Sequence, residues 1–295
     1  MKNLINIYFK TLSLVSSRLA GKQAFQLFQK TRKAKTKQKE VDFFESARQF
    51  KVAHYLENID CYELGNPDGK IVLLVHGWNS NAGSMGGIGM DLVKKGYHVY
   101  AFNLPAHGFS KRKKTNMKVC KEAFIAVLEH ISPTKSISIV AHSFGSAVTT
   151  FSLGNSDYKV DKLVFLTNPN KLSVIFEQFS EYIGLSKTGL EVMSQYASDI
   201  IEEDIKDVNI ELYSNKVKYN EMLLIHDYHD KILPYQNSVD VRSTWKRSKM
   251  VTFHKIGHYR MLWNDEVIAS VVDFLETKTV KLKNYDDPTL ESLAS

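Results

Sequence analysis

The spacing of hydrophobic and polar positions changes near residue 47. After that point, short apolar runs alternate with longer amphipathic stretches, which predicts alternating strands and helices. Repeated strand–helix alternation predicts an α/β fold with a mostly parallel central sheet covered by helices on both faces. The first two strands are predicted to pair as an antiparallel hairpin at the sheet edge. The predicted strands are 50–56, 59–64, 70–75, 97–102, 137–141, 162–167, 221–225 and 249–254, and the predicted helices include 116–131, 236–245 and 265–276.

Residues 1–45 are predicted to form a basic helical arm, and residues 46–295 the main domain. In residues 4–30, apolar side chains recur at helical spacing, which predicts two amphipathic helices with a break around Gly21. Residues 277–295 are polar, and we expect them to form a loose tail.

Two interpretations of the arm remain open. Phe25, Leu27 and Phe28 suit a protein core, which favours an arm that packs on the main domain with its lysines in water. The cationic run from Thr31 to Lys39 instead suits a patch for acidic lipid or a partner.

Two segments interrupt the strand–helix rhythm. About fifty residues between Thr167 and Glu221 have no strand pattern but contain two predicted helices, 172–183 and 190–205. Long insertions with their own structure often cover a site, so we expect a helical cap at about 170–215. The glycines of residues 83–89 lack a P-loop lysine and predict a flexible loop beside the pocket mouth.

The net charge of +7 lies in the arm. Residues 1–40 contain ten lysines and arginines and one acid, whereas the rest of the chain is slightly negative, so we expect no nucleic-acid partner.

Cys61 and Cys120 have no metal or CxxC spacing, and no apolar run approaches the ~18 residues of a membrane span. Asn6 and Lys10 interrupt the first apolar stretch, which favours a retained segment over a signal peptide. We expect a cytoplasmic protein, with membrane-surface contact through the arm as the secondary expectation.

A serine lies on a sharp turn between a predicted strand and helix. The apolar run from Ile137 to Ala141 leads into Ser143 and Gly145, after which helical spacing begins. This small-x-Ser-x-Gly pattern is typical of a nucleophile elbow, which exposes the serine on a strained turn. The elbow geometry also makes the backbone N–H of Phe144 a donor to a developing oxyanion.

A serine nucleophile needs a base and an acid to orient that base, and both types of residue follow later strands. Asp227 and Asp230 follow the strand at 221–225, and His258 follows the last strand. Because ligands bind at the carboxyl ends of strands in open parallel sheets, we expect these side chains to lie near Ser143.

The chain resembles the alpha/beta-hydrolase superfamily over roughly residues 46–276. The resemblance is carried by four motifs in the family's order. The second of them departs from the family's pattern at two positions, with Asn103 for Asp and Ala106 for Gly. The motifs are His76-Gly77-Trp78, the loop Asn103 to Ser110, the elbow at Ser143, and His226-Asp227 to Asp230 together with Gly257-His258.

The resemblance implies Ser143 as nucleophile, Asp230 as acid and His258 as base. It makes Asp227 the weaker acid candidate and the backbone of Trp78 the second oxyanion donor. In some members the acid follows the preceding strand, but here that position reads Thr167-Asn168, which cannot serve.

These features predict a serine hydrolase that cleaves a carboxylic ester or related small-molecule acyl substrate without a metal or organic cofactor. The alternative is a ligand-binding protein on a hydrolase scaffold with little or no turnover. No sequence feature sets an oligomeric state.

Overall fold

A computed structural model describes residues 2–33, 35–131 and 136–276. Its centre is an eight-stranded sheet with the strand order β1-β2-β4-β3-β5-β6-β7-β8. The first strands, β1 and β2, pair antiparallel at one edge, β2 also pairs antiparallel with β4, and the remaining neighbours are parallel. The strands are β1 Arg48–Val52, β2 Ile59–Gly65, β3 Ile71–Val75, β4 His98–Phe102, β5 Ile137–His142, β6 Lys159–Leu166, β7 Lys218–Asp227 and β8 Ser248–Phe253.

Helices cover both faces of the sheet, so the α/β prediction is confirmed. One core, which includes Phe124 and Phe151, packs the sheet against α5, α6 and the end of α9. The other, which includes Phe43 and Phe274, packs it against α3, α4 and α10. The helices are α1 Lys2–Val15, α2 Ser17–Phe28, α3 Gln38–Ser46, α4 Gly86–Lys94, α5 Met117–Ile131, α6 Phe144–Leu153, α7 Leu172–Ile183, α8 Lys187–Ile201, α9 Gln236–Thr244 and α10 Asp265–Glu276.

The register of the parallel strands brings the carboxyl ends of several strands to one level. Val75, the last residue of β3, lies beside Ala141 of β5, and His142 of β5 lies beside Leu166 of β6. The loops after β3, β5, β7 and β8 therefore emerge side by side, which assembles the candidate site described below.

The predicted helix break around Gly21 is wrong. The break lies at Ser16, whose side chain accepts a hydrogen bond from the backbone N–H of Leu19 and caps α2. Gly21 lies inside α2, and a Cβ atom there would be 2.5 Å from the carbonyl oxygen of Gly189 on α8. This glycine lets two helix backbones approach closely, a role that local spacing does not reveal.

The predicted flexible loop at residues 83–89 is also wrong. Residues Ala82–Met85 form a 3₁₀ turn, and the following glycines begin α4. A Cβ atom at Gly87 would lie 2.7 Å from the carbonyl oxygen of Leu262, and one at Gly89 would lie 3.0 Å from Leu74. These glycines let α4 pack tightly against its neighbours.

The first two helices of the arm, α1 and α2, pack against α7 and α8, the helices of the predicted cap. Phe25 of α2 is buried there, and Phe28 packs edge-on against Phe176 and Phe179 of α7. The domain boundaries at 45/46 and 170–215 stay predictions. No helix within the described ranges is long and apolar enough to cross a membrane. The predicted tail, residues 277–295, lies outside the described residues.

Candidate active site

Ser143 lies on a strained turn between β5 and α6. Its backbone has φ 52° and ψ −123°, in the left-handed half of conformational space that side chains rarely adopt. A Cβ atom at Gly145 would lie 2.5 Å from the carbonyl oxygen of Val75, so only glycine fits where α6 crosses β3. Such strain points to function when the surrounding structure enforces it, as the packing at Gly145 does here.

The three side chains predicted to form a triad meet at the carboxyl ends of the strands. The Oγ atom of Ser143 lies 3.0 Å from Nε2 of His258. On the other side of the ring, Nδ1 of His258 lies 2.7 Å from Oδ2 of Asp230. Because Nδ1 faces a carboxylate, it carries the proton, and Nε2 is left to accept the hydroxyl proton of Ser143.

The Asp230 carboxylate is buried but well supplied with donors. Burial by itself would raise the pKa of this carboxyl, but the hydrogen bond from His258 and the electrostatic interaction with its ring lower it, and the net result is a pKa below the ordinary value. The backbone N–H groups of Ile232 and Leu233 add to this effect by donating to Oδ1 at 2.7 and 3.1 Å. Asp230 is therefore held ionised and fixed in direction.

Asp227, the weaker acid candidate, is placed differently. One of its oxygens accepts the backbone N–H of His229 at 2.7 Å, and the other accepts that of Gly257 at 2.6 Å. The second bond ties the loop after β7 to the residue before His258. Asp227 thus fixes the position of the histidine loop, while Asp230 contacts the ring.

The loop after β3 passes directly over the serine. A Cβ atom at Gly77 would lie 3.1 Å from the Cβ atom of Ser143 and 2.9 Å from Nδ1 of His142. The next residue, Trp78, packs its ring edge-on against Phe144 at 5.1 Å. The two predicted oxyanion donors, the backbone N–H groups of Trp78 and Phe144, therefore belong to residues that flank Ser143.

A buried histidine fixes this loop. His76 donates from Nδ1 to the carbonyl oxygen of Gly77 at 2.7 Å and accepts at Nε2 from the backbone N–H of Leu104 at 3.0 Å. Burial lowers the pKa of His76 to about 3, so its ring is neutral and keeps both bonds.

A sequence model described as the alpha/beta hydrolase fold matches residues 70–219, which are half of the chain. The protein belongs to the alpha/beta hydrolase family. Ser143, His258, Asp230 and the loop after β3 lie at the carboxyl edge of the sheet, where open α/β sheets bind ligands.

Relatives and solved structures are similar to this chain at low identity. It is 27% identical over 108 residues to the human serine hydrolase-like protein and to human serine hydrolase-like protein 2. That alignment covers 36% of the chain and 53% and 34% of the two relatives, so the chain spans about half the length of the first and a third of the second.

Two solved structures show the shared fold. An esterase from Pyrococcus furiosus has a TM-score of 0.63 at 19% identity, covering 84% of this chain and 98% of its own. A Butyrivibrio proteoclasticus protein with bound ferulic acid has a TM-score of 0.64 at 15% identity, covering 77% of this chain and 100% of its own.

Sequence reasoning missed how His142 contributes to the candidate site. No contact was assigned to this residue, but Nε2 of His142 donates to the carbonyl oxygen of His258 at 3.0 Å. Burial, followed by the neighbouring His258, lowers the pKa of His142 to about 3, which keeps this donor neutral. The contact spans 116 positions in sequence, so no local signal predicts it.

The arm contacts the site through the loop after β3. The backbone N–H of Arg32 donates to Oδ1 of Asn79 at 2.7 Å, next to Trp78. Asn81 donates to the buried Glu40 of α3 at 3.2 Å. These bonds join Arg32 and Glu40, which precede the part of the chain that the family model matches, to the loop that carries a predicted oxyanion donor.

An apolar cavity of about 580 Å³ opens beside Ser143. Its walls come from the main domain and from the arm and cap helices, and most of its accessible lining is apolar. The apolar residues that line it include Ile5, Phe25, Phe28, Trp78, Phe144, Ala147, Phe151, Leu172, Ile175, Phe176, Phe179, Ala197, Ile201 and Val208. Within the described residues, no group of three or more His, Cys, Asp or Glu side chains is arranged to hold a metal ion.

Proposed function

We propose that this hydrolase cleaves a carboxylic ester through an acyl-enzyme on Ser143. One observation carries the proposal. The imidazole of His258 lies between the Ser143 hydroxyl and the Asp230 carboxylate, at 3.0 and 2.7 Å, with the serine on an elbow beside a cavity. A hydroxyl, an imidazole and an ionised carboxylate in this order are the parts needed to activate a serine.

The first half of the reaction acylates the serine. As Oγ of Ser143 attacks the ester carbonyl carbon, Nε2 of His258 takes the hydroxyl proton, and Asp230 stabilises the imidazolium that forms. The backbone N–H groups of Trp78 and Phe144 donate hydrogen bonds to the carbonyl oxygen and stabilise the negative charge that develops on it. The tetrahedral intermediate then expels the alcohol, which takes the proton from Nε2.

The second half returns the enzyme to its starting state. Nε2 of His258 takes a proton from a water molecule as that water attacks the acyl carbon. The intermediate collapses, the carboxylic acid leaves, and the proton returns to Oγ of Ser143. The reaction consumes one ester and one water and needs no redox partner.

The cavity favours an uncharged substrate with an apolar group. Burying a charge among the Phe and Ile side chains of its walls would cost far more than burying a methylene chain. Solved structures of the same fold include an esterase and a thioesterase domain. The activities of those proteins support acyl-transfer chemistry here, and thioesters therefore belong in the substrate screen.

The direct test is turnover of nitrophenyl esters by the wild-type protein and by Ser143→Ala. We expect the substitution to lower kcat by about 10⁶, as in other serine triads. Ser152→Ala is the matched control, since Ser152 is a buried serine further along α6, and we expect it to retain activity. A Ser143→Ala protein that cleaves esters at the wild-type rate would contradict the proposal. A wild-type protein that binds acyl compounds stoichiometrically without turnover would support the ligand-binding alternative instead.

A further inference from the structure

The outward face of α1 is apolar and exposed. Leu4, Ile7, Leu14 and Val15 are 72%, 60%, 89% and 79% exposed. Their spacing places them along one side of the helix, and the half-exposed Tyr8 lies in the same stripe. We call these five residues the outer stripe.

The inner side of α1 is apolar as well. Phe9 is buried against the cap, and Ile5 lines the cavity that contains Ser143. A helix that is apolar on both sides is expected in a protein interior or at a lipid surface, not exposed to water. The inner side is already packed, so the outer stripe is the part that a partner would cover.

Charge indicates which partner covers it. Lys10, Arg18 and Lys22 are exposed close to the outer stripe in sequence, and residues 1–40 contain ten lysines and arginines against one acid. Two copies of the arm facing each other would bring like charges together. An anionic lipid bilayer satisfies both features, because its headgroups attract the cations and its acyl region takes the apolar side chains.

The position of α1 connects this surface to the candidate site. The cavity that Ser143 lines is also lined by Ile5 of α1 and Tyr182 of α7. Tyr182 is itself about half exposed, so this part of the cavity wall reaches the molecular surface next to α1.

We propose that the outer stripe of α1 docks on an anionic lipid bilayer, and that acyl chains of lipid esters enter the cavity from that side. The second half of this statement rests on the proposed function, whereas the docking does not. The proposed substrate is an ester with an apolar acyl chain, and its source is a lipid surface.

The docking is tested by flotation of the full-length protein with vesicles. We compare pure phosphatidylcholine with mixed phosphatidylcholine and phosphatidylglycerol, and we expect partition to be strong only with the anionic mixture and to fall as salt rises. Leu14→Gln should lower partition by about tenfold, and Leu4→Gln together with Leu14→Gln should lower it further, because buried apolar area is lost. Glutamine keeps the helix propensity of leucine, so α1 is expected to persist.

The matched control is Leu212→Gln. Leu212 is 52% exposed, similar in kind to the stripe residues, but lies in the 3₁₀ turn Ile210–Tyr213, away from α1. We expect wild-type partition for this variant. Loss of partition in Leu212→Gln equal to that in Leu14→Gln would overturn the proposal, and so would equal partition of all variants.

A second copy of the chain is the competing occupant, and sedimentation velocity distinguishes it. A wild-type dimer that dissociates on Leu14→Gln, with no partition into anionic vesicles, would overturn lipid docking. We expect a sedimentation coefficient that the substitution does not change.

Two further readouts separate docking from catalysis. The Ser143→Ala protein should partition like wild type, because the serine does not face the bilayer. The stripe variants should hydrolyse a water-soluble short-chain ester at the wild-type rate but lose activity on esters embedded in anionic vesicles. Partition without turnover of any ester would leave docking intact and remove the proposed function, whereas turnover without partition would do the reverse.

Discussion

Two regions meet at Ser143, and they are built in different ways. The catalytic edge consists of the loops after β3, β5, β7 and β8, and directional hydrogen bonds from strand ends position it. The apolar roof consists of α1, α2, α7 and α8, and side-chain packing holds it together. Hydrogen bonds are directional and fix the position of each side chain at the edge. Packing in the roof is not directional and requires only that apolar side chains fill the space. Under the proposed function, the edge performs the chemistry and the roof selects the acyl group that reaches it.

The largest expected effect separates the two carboxylates of the catalytic edge. Asp230→Asn should lower kcat for a short-chain ester by about 10⁴, because the His258 ring loses the partner that sets its tautomer. Asp227→Asn should lower kcat by only about tenfold, through a shifted Gly257 loop. Steady-state kinetics of both variants measures this. Equal losses, or the larger loss in Asp227→Asn, would show that the assignment of the acid is wrong.

The next effect concerns the loop after β3. In Gly77→Ala the new methyl group would lie 2.9 Å from His142 and 3.1 Å from Ser143, which displaces the loop that carries the Trp78 N–H. We expect kcat to fall by about 10² to 10³, the cost of losing one oxyanion donor. The control is Gly96→Ala, whose Cβ would meet nothing within 4 Å; the φ of +82° at Gly96 makes any loss in this variant one of stability and not of kcat. Normal kcat in Gly77→Ala would remove Trp78 from the oxyanion site.

A smaller effect tests the roof. Ala197 of α8 lines the cavity, and Ala197→Phe should fill that part of it. Since each buried methylene contributes roughly a fourfold change in affinity, kcat/KM for a dodecanoyl ester should fall by about tenfold or more. The value for an acetyl ester should stay within about threefold.

Val174→Phe is the matched control for that experiment. Val174 lies on α7, is partly exposed and is absent from the cavity wall. We expect its chain-length profile to match wild type, with the folded state of both variants checked by thermal denaturation. An unchanged profile in Ala197→Phe would show that acyl chains do not enter the roof.

The smallest effect is on stability. The pKa of Asp230 is lower in the folded protein than in the unfolded chain, so its charge stabilises the fold above the ordinary carboxyl pKa. That contribution is lost as pH falls through the lowered value. Urea titrations should therefore show that the difference in the free energy of unfolding between wild type and Asp230→Asn becomes smaller as pH falls. A difference that grows as pH falls would contradict the lowered pKa of Asp230.

The two regions also differ in how well the sequence predicted them. The strands and the side chains of the catalytic edge follow from short local signals, because each key residue directly follows an apolar run. Ser143 and His258 were found in this way, whereas the family resemblance chose Asp230 over Asp227, and the structure brings the three side chains together. Asp227 and His142 were not assigned their contacts, because those contacts join loops far apart in sequence.

The roof was predicted less well, for a physical reason. Helix α7 was predicted with its observed bounds, but α8 begins at Lys187 and ends at Ile201 instead of spanning 190–205. Gly21 suggested a break, although it marks the close contact of α2 with α8. The outer stripe of α1 could not be distinguished from a core face, since apolar spacing alone does not say which side of a helix is covered.

The most direct test of the central claim is covalent labelling of the wild-type protein with a fluorophosphonate, followed by peptide mapping. We expect one label per molecule, on Ser143. Prior incubation with a nitrophenyl ester should block the labelling, and His258→Ala should slow it strongly. A folded protein that takes up no label, or that is labelled on a different residue, would contradict it.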